Sequence, residues 1–120
     1  MLPRSQRLAA RRDFSAVYGR RRGISGALLV LHHLRKGDLE SGTRRFGFVT
    51  SRKVGKAHDR NRIKRRLRAI CRAEQDTWAT GVDVIVVVRT GAATATFEQL
   101  ADELRQLMRR AGLATPDPAP

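Results

Sequence analysis

Apolar residues along the chain change period several times, and each change marks an element. In residues 10–18 Phe14, Val17 and Tyr18 recur at i, i+3 and i+4 before Gly19, which predicts a short helix with arginines outside it at both ends. Residues 26–34 and 44–50 are rich in aliphatic and β-branched side chains, and Phe46 and Phe48 alternate with Arg45 and Gly47. The simplest reading is two antiparallel strands joined by the polar, glycine-containing stretch 35–42. After a basic connector at 51–55 the period becomes helical over 57–78. Residues 84–88 form an unbroken Val-Ile-Val-Val-Val run within a strand at 83–89, the pattern of a central strand covered on both faces. Thr96-Phe97-Glu98-Gln99 has the form of a capping box, and Phe97, Leu100, Leu104, Leu107, Met108 and Ala111 continue at helical spacing to Gly112.

These elements give the order α-β-β-α-β-α. It becomes α-β-β-β-α-β-α if residues 44–51 split or the first strand bends. The fold class is α+β, a small two-layer sandwich with the helices packed on one side of a mixed sheet. One domain is expected over 1–113. Residues 114–120 hold three of the four prolines and nothing apolar larger than alanine, the composition of a disordered tail.

Charge changes the picture. The 120 residues carry 25 Lys+Arg against 11 Asp+Glu, a formal net charge of +14. Such a balance attracts polyanions through counterion release, which makes nucleic acid the leading partner. Between Arg52 and Arg72 stand ten basic residues and one carboxylate, Asp59. A salt-bridged surface helix would interleave acids. On a helical wheel Ile63, Leu67, Ile70, Cys71 and Trp78 form one stripe, and Asn61, Arg65, Arg68 and Arg72 lie opposite. Arg62, Lys64 and Arg66 flank the stripe, where they can bury their stems and keep their charged ends wet. Arg60 lies close to the apolar stripe, in a first turn whose free N–H groups favour a phosphate.

Catalytic constellations are missing. His32, His33, His58 and Cys71 are the candidate transition-metal ligands, and adjacent histidines on a strand point to opposite faces, so no metal site is expected. Cys71 falls on the apolar side of its helix and reads as packed. Glu98, Asp102 and Glu103 read as a solvated helix face, and Asp38 and Glu40 as loop residues without partners. With one cysteine there is no internal disulfide, and no apolar run approaches the ~20 residues that cross a bilayer. Cytoplasmic residence follows as the expectation, with no membrane and no small-molecule substrate among the partners. The rings of Phe14, Tyr18, Phe46 and Phe48 have two readings. They line an arginine-flanked groove for single-stranded RNA, or they are core, which is the favoured reading for each phenylalanine. Tyr18 is the ring best placed to reach solvent.

The segment Lys53-Val54-Gly55-Lys56-Ala57-His58-Asp59-Arg60-Asn61-Arg62-Ile63-Lys64-Arg65-Arg66-Leu67-Arg68 resembles the signature of the bacterial ribonuclease P protein component, an Arg-Asn-Arg core followed by an apolar residue and further basic positions. Leu2-Pro3, Arg7-Leu8, the run Arg12-Asp13-Phe14-Ser15-Ala16-Val17-Tyr18 and the apolar strand before a terminal helix extend the resemblance over nearly the whole chain. It implies a non-catalytic protein subunit of a ribonucleoprotein that removes the 5′ leader of precursor tRNA, the chemistry being carried by an RNA subunit with its own magnesium ions. It further implies that Arg60, Asn61, Arg62, Lys64, Arg65 and Arg68 face the catalytic RNA. A cleft with Phe14, Tyr18, Arg52 and Lys53 would take the single-stranded leader. The implied fold has a left-handed βαβ crossover, against the general preference. Two positions depart from the family pattern. His58-Asp59 stands where small or apolar residues are usual, so that Asp59 either caps the helix or pairs with Arg62. Tyr18 stands where Phe is frequent. The rival classes are a structural ribosomal or RNA-chaperone protein, a protein-only nuclease, which the carboxylates do not suit, and a duplex-DNA reader, for which Asn61 alone is a base-reading side chain.

Overall fold

The computed structural model describes residues 6–8, 11–19, 23–35 and 44–114. Along the chain run α1 (Arg11–Gly19), β1 (Gly23–Ser25), β2 (Leu29–Arg35), β3 (Arg44–Val49), α2 (Ala57–Glu74), β4 (Val82–Val88) and α3 (Phe97–Arg110), with short 3-10 turns at Gln75–Thr77 and Thr90–Thr94. The additional strand is β1, split from β2 by a turn at 26–28.

The mixed sheet has the order β1-β2-β4-β3. β2 and β3 do not pair, contrary to the hairpin expected from sequence. β4 inserts between them, antiparallel to β2 and parallel to β3. The physical reason is the composition of β4: five of its residues, Val82, Val84, Ile85, Val86 and Val88, are buried hydrophobics, and only a strand with neighbours on both edges and cover on both faces accommodates that run.

The faces are covered unequally, which corrects the expectation of helices on one side. Leu29, Leu31, Phe46, Val84, Val86 and Val88 point towards α2 and α3 and join Ile63, Leu67, Ile70, Leu104, Leu107 and Met108 in the main core. Ile85 points the other way, where α1 places Val17, with Leu8 from the preceding segment and Phe14, Leu34, Val49 and Val87 packed around. The sheet is thus fully covered on one face and partly covered on the other.

Helix ends follow sequence chemistry. Thr96 and Gln99 form the reciprocal capping box of α3, at 3.1 and 2.9 Å. α3 ends in a Schellman motif: Gly112 has φ +73°, its N–H donates to the Arg109 carbonyl, and Leu113 N–H donates to Met108. α2 is shorter than expected. It stops at Glu74, and Trp78 leaves the helix to pair with Ala114. Of the expected tail, Ala114 is described and 115–120 lies outside the described residues.

Two polar devices lock these elements, one within the sheet and one between the sheet and α3. Asp83, fully buried on β4, receives a two-pronged bond from its β3 neighbour Arg45, Nε at 2.9 Å and Nη2 at 2.8 Å. Glu103 of α3 accepts the backbone N–H groups of Ala27, Leu28 and Leu29 at 2.9, 2.7 and 2.6 Å. It is therefore no solvated-face residue but the clamp that holds the β1–β2 turn on α3.

Candidate nucleic-acid interface

α2 separates core and charge as its sequence dictates. Ile63, Leu67, Ile70 and Cys71 are buried, whereas Asn61, Arg65 and Arg72 are exposed and Arg60, Arg62, Lys64, Arg66 and Arg68 are half-buried. Burial pushes the Cys71 thiol up from its ordinary value, so it is a packing residue. His58, Asn61, Arg65 and Arg68 line an open groove of about 460 Å³ along one side of the helix. His58 was missed in the sequence, although its spacing from Asn61 places it on the same stripe.

Several arginine N–H groups here have no partner in the described structure. Nε of Arg60, of Arg62 and of Arg68 is shielded from solvent and has no acceptor among the described residues. A guanidinium N–H left without a partner in this way gains from an anion brought by a ligand. Arg66 differs, since its Nη1 donates to the Ala95 carbonyl at 3.2 Å and ties α2 to the turn before α3. Between the two alternatives for Asp59, pairing holds. Lys56 is the N-cap residue and makes no side-chain cap, and the Asp59 carboxylate lies 3.6 Å from Arg62 and 3.2 Å from His58. A side chain at position 55 would crowd Asp59, with the added Cβ 3.1 Å from its Cβ, and Gly55 leaves that room.

A second surface lies across the sheet. α1 crosses the row His32–Ile85–Gly47, with Phe14 against Gly47 and Tyr18 against His32. A Cβ at position 47 would meet the Phe14 ring at 2.6 Å, so glycine is what lets that ring lie on the strand. Phe14 is half-buried, and Tyr18 is exposed, its ring edge-on to His32 at 4.9 Å. Burial raises the Tyr18 phenol and lowers the His32 imidazole from their ordinary values. Beyond α1 the next row, Val30–Val87–Val49, is only half-buried and forms a strip of open sheet. Exposed Arg52 and Lys53 follow β3 in the turn at its end.

Phe46 and Phe48 do not belong to this surface. They face the opposite core, where Phe46 is buried edge-on to Trp78 at 5.8 Å. On the α1 side the ring beside Tyr18 is instead that of His32. Among the described residues no group of three His, Cys, Asp or Glu could hold a metal, and no helix is long and apolar enough to cross a membrane.

A one-sided arginine helix on one face and an aromatic-edged strip of bare sheet on the other define a small basic α+β protein shaped to work on a polyanion. Residues 2–112 match the family model described as Ribonuclease P. A protein from Gluconacetobacter diazotrophicus named ribonuclease P protein component is 39% identical over 114 residues, covering 94% of this chain and 97% of its own length. One of the same name from Syntrophomonas wolfei is 34% identical over 113 residues, 94% and 92% of the two chains. The RNase P protein of Staphylococcus aureus superposes with a TM-score of 0.83 over 93% of this chain and 100% of its own; at 23% identity it speaks for the fold. That of Thermotoga maritima gives 0.75 at 30% identity, over 87% and 96%. The chain belongs to the bacterial ribonuclease P protein family and is the protein component of a tRNA-processing ribonucleoprotein.

Proposed function

We propose that the chain binds the catalytic RNA of ribonuclease P through the outward face of α2 and the single-stranded 5′ leader of precursor tRNA through the strip beside α1. The observation that carries this is the position of the two surfaces on opposite faces of one sheet, each with the chemistry its ligand needs. Arg60, Asn61, Arg62, Lys64, Arg65 and Arg68 offer guanidinium, ammonium and amide donors and no base-stacking ring, which suits a folded phosphate backbone. Phe14 and Tyr18 offer π-faces, and Arg52 and Lys53 offer charge, which suits an unpaired strand. Magnesium belongs to the RNA, which performs the hydrolysis. The protein raises affinity for precursor over mature tRNA and lowers the magnesium requirement by neutralising crowded phosphates. We place this work in the cytoplasm.

The test is cleavage of a leader-bearing precursor tRNA at low magnesium by the cognate RNA, with the protein, without it, and by the protein alone. Enhancement that needs both components is expected. Arg65→Ala with Arg68→Ala should weaken assembly with the RNA, and the salt slope of log K should fall by about 0.7–0.9 for each phosphate no longer neutralised. Phe14→Ala or Tyr18→Ala should leave assembly intact and reduce only the preference for precursor over mature tRNA. Identical phenotypes for the two sets would sink the two-surface reading. Absence of precursor discrimination would favour a ribosomal or chaperone role, and cleavage by protein alone a protein nuclease.

A further inference from the structure

We infer that the edge formed by the β1–β2 turn and the end of α3 is a third RNA surface, one that takes the phosphate backbone of double-stranded RNA. Three exposed arginines from distant parts of the chain border it, Arg89 and Arg110 at the turn and Arg35 at the opposite end of β2, about 20 Å along the strand at about 3.3 Å per residue. Arg89 Nη1 donates to the Gly26 carbonyl at 2.9 Å, Arg110 Nη1 to the Ser25 carbonyl at 3.3 Å, and Arg35 Nη2 to the Gly112 carbonyl at 3.3 Å. Among the described residues none of the three is ion-paired. A carbonyl orients a guanidinium without cancelling its charge, so three forks are held in place with donors left over for phosphate oxygens. Among the described residues the nearby carboxylates are committed elsewhere: Glu103 to three backbone N–H groups, and Asp102 to Arg105 at 2.8 Å. Arg109 adds an exposed cation in the same last turn of α3, and the sequence places Arg20, Arg21 and Arg22 immediately before β1.

Two features argue for duplex. Carbonyl-anchored guanidiniums form a fixed array, which matches the regular phosphates of a helix better than a flexible strand. The rings lie apart from the end of α3: Phe97 is about 20 Å from Arg110 along the helix at 1.5 Å per residue, and Tyr18 lies on the opposite face of the sheet. The edge is also distinct from the α2 face, because α3 contacts α2 on one flank and β1 and β2 on the other. The surface therefore operates whichever RNA α2 takes.

The experiment measures binding of the full chain to a blunt RNA duplex and to a single strand of equal length across a KCl series. Arg35→Gln/Arg89→Gln/Arg110→Gln keeps an N–H donor for each carbonyl and removes the charges. Its salt slope for duplex should fall by about 2, with single-strand binding less affected. Arg62→Gln/Arg65→Gln/Arg68→Gln, equal in charge, should weaken duplex less. Lysine at 35, 89 and 110 should restore most of the slope, and the single variant Arg35→Gln, which does not touch the β1–β2 turn, should lower it by about 0.7–0.9. Equal loss of duplex binding from the two equal-charge variants, or equal loss for duplex and single strand, overturns the assignment.

Discussion

Replacing Glu103 with alanine removes the only side chain that accepts the N–H groups of Ala27, Leu28 and Leu29 in the described structure. Hydrogen bonds to a charged acceptor contribute about 1.5–3 kcal/mol each when buried. The turn is partly open to water, so the freed donors rehydrate and about 1 kcal/mol per bond is the better figure, near 3 kcal/mol in all. At about 2.1 cal/mol/K per residue, 120 residues unfold with about 250 cal/mol/K, so the loss should lower Tm by roughly 12 °C. Gly26 offers a second way to move the same carboxylate. Its φ lies outside the left-handed region, yet a Cβ there would sit 2.6 Å from Glu103 Cδ and under 3 Å from both oxygens. Gly26→Ala should therefore displace the Glu103 side chain and cost about 2 kcal/mol in the natural background, but well under 1 kcal/mol when Glu103 is already alanine. Urea titration of the four proteins, with amide exchange of Leu28 and Leu29, measures the cycle. Additive losses, or a Glu103→Ala cost below about 1 kcal/mol, would refute the clamp.

Asp83→Ala should cost about 3 kcal/mol in urea unfolding, because it leaves the Arg45 guanidinium beside a dry strand without its two-pronged acceptor; a loss under 1 kcal/mol would contradict that. Gly47→Ala should push the Phe14 ring off β3 and reduce precursor preference while RNA assembly is retained, checked by paired binding to precursor and mature tRNA. Burial holds His32 below its ordinary 6.5, so the unfolded chain binds more protons between the folded and unfolded values. Stability from this site is complete above about pH 6.5 and declines as pH falls through it towards the folded value. His32→Phe should flatten Tm between pH 7.5 and 5.5, and an unchanged profile would remove His32 as the cause.

Much of the site was readable because it is local. The opposition of Ile63, Leu67 and Ile70 to Asn61, Arg65 and Arg68 is a property of one helix, and the capping box at Thr96 spans four residues. The central place of β4 was visible in its unbroken valines. What escaped depends on contacts between distant segments. Nothing in the period of Phe14, Val17 and Tyr18 says which side of a two-faced sheet α1 covers, so Phe46 and Phe48 could not be separated from it. Glu103 looked like a solvent residue because its partners lie 74–76 positions away and are backbone groups, which carry no side-chain signal. Arg45 meets Asp83 only through the β3–β4 register, and that register requires knowing that β4 intervenes between β2 and β3.

The position of β4 sets the order in which the molecule can be made. During synthesis β2 and β3 leave the ribosome before the strand that must lie between them, so the sheet cannot close until residues 82–88 are available. Until then each has a free edge and an apolar flank, the condition in which nascent chains pair with the wrong neighbour. The intervening segment is α2, whose cationic residues emerge earlier than β4 and keep like-charged chains apart through mutual repulsion. The same charges that line the outward face of α2 in the finished subunit thus disfavour association of the unfinished one.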